Sequence, residues 1–454
     1  MAGIITEHEM EMARYCIARA KELGASASRV SLNKNVLDSV TFFNGEFDKV
    51  THSSDRSVYL YLYIDGRYGT FSTNRLDRDE LSAFVKKAVD TVRMLEKDEC
   101  RMLPDAGRIA RDAASGLETG LYDEAYFNED MDSRIAKAKG MSIFKILDGK
   151  GEFTPISEEC EYSDSVDDSW LIDSQGLEAR HIETSAGCFC EMNVSGPDGG
   201  KYSGYWWDSS FSSRRIDMEG CARKALEKVR SQFCPKPSRG GRHRMVVDST
   251  VASRLVSPLI SALNMNSLQQ KMSFLDGSLD KRVFPEGLTI MDMARESGRL
   301  GARLFDSEGV ATANVPIVEN GVVKIYFTDT YMSAKTGQKP TVEDVSRPCM
   351  KPYLKGCGQV QEAGLDKILK HCMNGIYVTG FNGGNCNPVT GDYSFGVEGF
   401  KFSRGRIVHP VKEMLITGNL LELWNSLEAV GSDARPCTRW QIPTLAFDGV
   451  SFSA

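Results

Sequence analysis

The 454-residue sequence is poor in histidine, and no two of its histidines lie close together. The six are His8, His52, His181, His243, His371 and His409. A zinc site built on one helix needs ligands three to five residues apart, so that they share a face, and a glutamate to activate water. The single His-Glu step is His8-Glu9, and the position that a second histidine would take after three further residues is Ala13. A two-histidine zinc helix is therefore excluded, and neither a catalytic group nor a metal or other cofactor is expected.

Other absences narrow the field further. No C-x-x-C occurs among the twelve cysteines, which excludes zinc ribbons and thioredoxin-type sites. A chain this long is no small secreted disulfide scaffold, so most cysteines are expected to be reduced and buried. No run approaches the ~18 apolar residues of a membrane span. Met1 to Glu9 has neither a basic start nor an apolar stretch, so no secretory leader is expected, and the expected compartment is the cytoplasm. Lys plus Arg is 55 and Asp plus Glu is 62, a formal net charge of −7, with no global pull toward nucleic acid. No G-x-x-x-x-G-K-[ST] phosphate loop is present, since Asp148-Gly149-Lys150-Gly151 lacks its leading glycine and its hydroxyl residue. There is no G-x-S-x-G elbow either.

What is present reads as α+β. Met12, Cys16, Ala20 and Leu23 recur at helical spacing over Glu9 to Leu23, and Gly24 suits a C-cap. Val30 to Leu37, Val40 to Phe43, Ser57 to Ile64 and Tyr68 to Ser72 read as strands, with turns at Asn44-Gly45 and Asp65-Gly66. Asp77 to Leu95 is a helix. After a polar connection, Asp105 to Tyr126, the order repeats: helix over Asp130 to Leu147, four or five strands between Glu152 and Trp207, helix over Asp217 to Phe233. Pro235 to Gly241 is the clearest linker. Beyond it lie Val246 to Asp248, a helix over Ser249 to Leu263, then short strands and a last helix near Asn419 to Leu427. The expected division is 1–115, 116–236 and 237–454: a two-part α+β N-terminal region, then a β-rich, mainly antiparallel C-terminal domain.

Two constellations invite a metal reading. His181-x-Glu183 precedes Cys188-x-Cys190, but the P-C-x-x-C of a nucleobase deaminase is missing. His409 and Glu413 stand four apart, but Pro410 and the β-like Ile407 to Val411 argue against a helix. An antiparallel sheet explains both.

Five segments, in order, resemble the TldD/PmbA family, known also as modulators of DNA gyrase. They are Tyr61 to Ser72 with the following Asp77 to Leu81; Phe305 to Thr312; Val318 to Lys324; Thr390 to Gly396; and His409 to Glu413 with Ile416 to Leu420. The resemblance runs along nearly the whole chain and is strongest to the PmbA/TldE branch. In the TldD branch, H-E-x-x-x-H and a later cysteine hold zinc. The helix at the corresponding place here contains Ser257 to Leu263, with no ligand, and Cys437 is not carried over as one. The resemblance implies a zinc-less, cytoplasmic subunit that partners a TldD-type protease and admits unfolded peptide. In isolation it is expected to form a homodimer. An independent metallopeptidase with a non-standard site and a homodimeric peptide-binding module are the alternatives. The glycine-rich run Gly380 to Gly399 is the candidate peptide-binding or interface strand, with Gly383, Gly384, Thr390, Gly391, Asp392 and Tyr393 as its site residues. Extended peptide commonly binds by adding a strand to an edge, and glycine permits the close approach.

Overall fold

The computed structural model describes residues 2–147 and 152–453, so the Asp148 to Gly151 stretch lies outside the described residues. The N-terminal region contains α1 (Glu7–Glu22), β1 (Ala27–Phe43), β2 (Glu46–Ile64), β3 (Arg67–Thr73), α2 (Arg78–Val92), α3 (Met131–Met141), β4 (Thr154–Asp173), β5 (Glu178–Ser195), β6 (Lys201–Ser210) and α4 (Met218–Ser231). Both helix–strand–helix stretches build one antiparallel sheet, in the order β3-β2-β1-β4-β5-β6. The join is β1 against β4, in register from Arg29↔Asp173 to Phe43↔Glu159.

Side chains alternate across a strand, so each face can be read from the sequence. Val30 and Leu32 of β1 pack with α1 and α2, while Val40 and Phe42 of the same face pack with α3 and α4. All four helices therefore cover one face, and the opposite face of β1 and β4 is largely polar. Between the two apolar clusters the covered face is ionic. Arg134 Nε bonds both Asp164 oxygens at 2.8 and 3.0 Å, and Arg180 grips Asp168 with Nε at 2.9 Å and Nη2 at 2.7 Å.

The strands outrun the sequence reading. Glu46 to Arg56 is not legible as strand because nearly every residue in it is exposed and polar, leaving no alternation to detect. Helix α1 starts at a capping box, in which Thr6 and Glu9 bond each other's backbone N–H. Buried Glu9 also receives Lys34 Nζ at 3.1 Å and Arg56 Nη1 at 3.0 Å. Burial alone would raise its pKa; the Thr6 N–H, Arg56 and Lys34 outweigh this and hold it at about 2. The folded value lies below the unfolded one, so the stabilisation is present above about pH 4.5 and lost as pH falls through about 2. Glu9→Gln is expected to lower the thermal midpoint at neutral pH and to flatten its fall across that window. A variant with the wild-type acid profile would refute this.

Residues 232–240 contain no regular element, and the segment is pinned, not loose: Lys236 N–H donates to Pro410 O and Lys236 O accepts from Lys412 N–H. The C-terminal part holds β7 (Gly241–Val247), α5 (Ser253–Ala262), α6 (Met265–Gln269), β8 (Ile290–Met293), β9 (Asn314–Glu319), β10 (Val322–Val323), α7 (Thr330–Thr336), β11 (Pro348–Met350), β12 (Tyr353–Leu354), β13 (Gly358–Gln359), α8 (Leu365–Cys372), β14 (Asn374–Cys386), β15 (Asp392–Ser403), β16 (Arg406–Asn419), α9 (Leu420–Asn425), β17 (Leu427–Val430) and β18 (Leu445–Ser453). Strands β8 to β11 form a four-stranded sheet. In the larger sheet β7 pairs with both β14 and β18, so β7, β14, β15, β16 and β18 close into a ring. The β7–β14 pair is parallel and the others in the ring are antiparallel. Met245, Val378, Phe395, Ile416 and Phe447 share one core with Leu255, Leu259 and Trp424. This fold is the expected α+β arrangement with a β-rich C-terminal domain. Among the described residues no helix is long and apolar enough to cross a membrane.

Candidate functional site: a cleft floored by the glycine-rich strand

Helix α5 is amphipathic. Leu255, Val256, Leu259 and Ile260 are buried in the core, while Ser253, Arg254, Ser257 and Ser261 face a cleft. Thr379 to Gly383 of β14 and Glu398 of β15 form its floor. The opposite wall comes from the N-terminal region: Ser203 to Tyr205 of β6, and Lys228 and Gln232 at the end of α4. Its central volume is about 990 Å³, and adjoining hollows of about 510 and 310 Å³ share residues with it. The result is a groove that tracks the glycine-rich strand from Phe274 and Pro388 at one end to Pro410 at the other.

Within the cleft Asp248 is internally committed. It accepts the Tyr377 hydroxyl, the Thr250 hydroxyl at 2.5 Å and the Thr250 N–H at 2.8 Å. Burial, then the Asp248 charge, push the Tyr377 pKa far up, so this pair holds its proton as a structural clasp between β7 and β14. Lys228 lies across the cleft from it. Burial draws its pKa down, against the opposing pull of Asp248. Its ammonium sits 5.1 Å from the centre of the Trp206 ring, and the Arg435 guanidinium lies 4.3 Å from that ring. Trp206 thus joins α4 to the C-terminal part, and the wall is fixed relative to the floor.

The six residues singled out from the sequence divide into two groups. Gly383 lines the cleft, and the Gly384 carbonyl accepts from Arg254 Nη2 at 3.3 Å. Thr390, Gly391, Asp392 and Tyr393 lie at the β14–β15 turn. There Thr390 Oγ1 donates to Asp392 at 2.7 Å, and Asn419 Nδ2 bridges Thr390 O at 2.7 Å and Asp392 at 3.0 Å. The Asn419 amide and then the Thr390 hydroxyl hold the Asp392 pKa down. Tyr393 stacks on Phe395 at 5.4 Å, and burial raises its pKa to about 12. Gly391 has φ +79, and its N–H donates to Asn387 O at 2.8 Å, so a side chain there would probe the turn. Sequence reasoning missed Lys228, Asp248, Tyr377 and Glu398. Nothing local marks them; the cleft gathers positions from 203 to 440.

The two metal-like constellations are resolved by strand faces. His181 Nε2 lies 3.2 Å from Glu183 on the polar face of β5, where both line a second hollow of about 350 Å³. Cys188 and Cys190 are buried on the other face, with Cys160 and Cys221. Burial and then Glu343 raise the pKa of Asp306, which also lines that hollow, to about 6. His409 and Glu413 lie on β16, a strand. Zinc, the metal of the TldD branch, does not fit the cleft face of α5. Serine hydroxyls, Pro258 and the Arg254 guanidinium stand there, and none is a zinc ligand. Among the described residues no group of three or more His, Cys, Asp or Glu side chains is arranged to hold a metal ion. Seven of the twelve cysteines are buried, and all are free.

The chain thus combines a helix-covered sheet, a closed β ring and a walled cleft between them. Residues 29–91 match the model of PmbA/TldA metallopeptidase domain 1, 129–233 the central domain and 240–454 the C-terminal domain. The chain belongs to the PmbA/TldD metallopeptidase family. A Bacteroides thetaiotaomicron crystal structure of a candidate modulator of DNA gyrase shares 37% identity, with TM-score 0.92, covering 99% of this chain and 100% of that one. The Haemophilus influenzae metalloprotease PmbA homolog is 26% identical over 98% of this chain and 96% of its own. TldE from Thermococcus kodakarensis has the same fold, with TM-score 0.78 at 16% identity over 98% of this chain and 100% of that one.

Proposed function

We propose that this chain is a PmbA/TldE-type subunit that binds extended, unfolded peptide in the cleft and completes the proteolytic site of a TldD-type zinc partner. The observation that carries the reading is the polar face of α5. It looks into a groove of peptide dimensions yet offers hydroxyls and a guanidinium where a metallopeptidase needs imidazole or thiolate. Gly383 on the floor, where an added Cβ would meet nothing within 4 Å, leaves room for a second backbone, so peptide would be held mainly by main-chain hydrogen bonds with little side-chain selectivity. In this reading the middle part, 116–236, walls the groove, and the first part, 1–115, extends its sheet away from it. The C-terminal part, 237–454, carries its floor and the face that meets the partner. The partner supplies zinc, the glutamate base and the cysteine ligand. The setting is the cytoplasm, without membrane or nucleic acid.

The test is to purify the chain alone and with a TldD-type chain, then measure bound zinc and cleavage of an unfolded peptide. The isolated chain is expected to hold no stoichiometric zinc and to leave the peptide intact. The pair should cleave it. About one tightly held zinc per isolated chain, or cleavage without the partner, would favour an independent metallopeptidase instead. Peptide binding with no association to any TldD-type chain would favour a homodimeric binding module.

A further inference from the structure

The charged side chains that line the cleft are not equally satisfied. Asp248 is taken up by Tyr377 and Thr250, and Arg254, Glu398, Lys412 and Glu413 are exposed to water. Lys228 is half-buried, and among the described residues its ammonium forms neither a hydrogen bond nor an ion pair. It lies 5.7 Å from the centre of the Tyr205 ring and 5.1 Å from that of Trp206. Ring faces attract a cation but offer it no acceptor oxygen. Arg435, 4.3 Å from the same Trp206 ring, adds a second positive charge, and its Nη1 is buried without a hydrogen-bond partner. Lys224, one turn earlier on α4 and 5.5 Å from Trp206, is by contrast paired with Asp217 at 2.7 Å.

A half-buried cation gives up hydration, so an anion entering the cleft gains more from Lys228 than from a lysine in open water. An unmodified peptide carries one class of anion, the carboxylate, at its C-terminus or on Asp and Glu side chains. An ammonium–carboxylate hydrogen bond is among the stronger polar contacts, and it would fix where along the groove the peptide stops.

We propose that Lys228 forms a carboxylate subsite of the cleft, which grips the C-terminal carboxylate or an acidic side chain of the bound peptide. The inference rests on the peptide-binding reading above and adds one charge preference to a floor that reads main chain. The net charge of −7 disfavours acidic peptides as a whole, so a preference for one reports a local site. Fluorescence anisotropy with the full chain, alone and paired with a TldD-type chain, tests it. One unfolded peptide is labelled at its N-terminus and prepared with a free or amidated C-terminus and with Glu or Gln at an inner position. Wild type should bind the form with both carboxylates at least about tenfold more tightly than the form with neither. The forms with a single carboxylate show which source is used. Lys228→Gln should abolish the preference yet still bind the neutral form, and Lys228→Arg should keep most of it. Lys224→Gln, beside the same indole but already paired, should leave it intact. Equal affinity of wild type for acidic and neutral forms would overturn the subsite and leave the cleft reading standing. So would a preference that survives Lys228→Gln, or a loss in that variant that is the same for every form. No binding of any form, alone or paired, would overturn both.

Discussion

Replacing Asp168 with alanine is expected to destabilise the N-terminal region by about 3–5 kcal/mol, the cost of stranding a buried charge. The Asp168 side chain is fully buried. One of its oxygens accepts the N–H groups of Ile4 at 2.8 Å and Ile5 at 2.9 Å, while the carboxylate also holds Arg180 in a two-pronged grip. Truncation removes all four bonds. It leaves the Arg180 guanidinium, 8% exposed, without a counter-ion in the middle of the sheet. The N-terminal segment before α1 would lose its anchor as well. A matched control is Glu178→Ala, which breaks an ion pair with Arg14 whose partners are 49% and 54% exposed. That change should cost less than about 1 kcal/mol. Thermal unfolding of the two variants beside wild type decides the matter: equal losses would show that the buried pair carries no special weight.

Two adjacent glycines on the cleft strand should respond very differently to alanine. Gly383 and Gly384 have φ of +67 and +87, so alanine at either is strained by about 1–2 kcal/mol. At Gly383 an added Cβ meets nothing within 4 Å. At Gly384 it would press into the Ser394 carbonyl oxygen and lie 2.6 Å from Phe395 Cα, both backbone atoms of the paired strand. Gly384→Ala should therefore cost about 3 kcal/mol or more, combining strain with overpacking that the sheet cannot relieve. It should also displace the carbonyl that Arg254 holds and so weaken peptide binding. Gly383→Ala should keep the fold and change binding only through occupancy of the groove. If the two variants melt together and bind peptide alike, the register shift between Asn382 and Asn385 has no role in shaping the cleft.

Part of this architecture is legible in the residues themselves. Helices α1, α2 and α4 carry strong apolar periodicity, which places each within a few residues of its observed ends. The 235–241 segment is readable from its proline and glycine. The long polar half of β2 is not, because an exposed strand leaves no alternation in the sequence. Nor is the pairing of β1 with β4, which joins residues 116 to 144 positions apart through backbone groups common to every residue.

What this chain cannot build on one helix follows from its residues alone. Ligand spacing along a helix is a local property, and six scattered histidines settle it in any fold. The family follows from them too, through motifs whose order survives without knowledge of their contacts. The place of the cleft and the residues that line it come instead from the folded chain. Asp248 meets Tyr377 because β7 runs parallel to β14, and Lys228 reaches the groove because Trp206 lies against Arg435. Those contacts rest on sheet closure and packing between segments far apart in the chain, and neither leaves a periodic trace in the residues that make them.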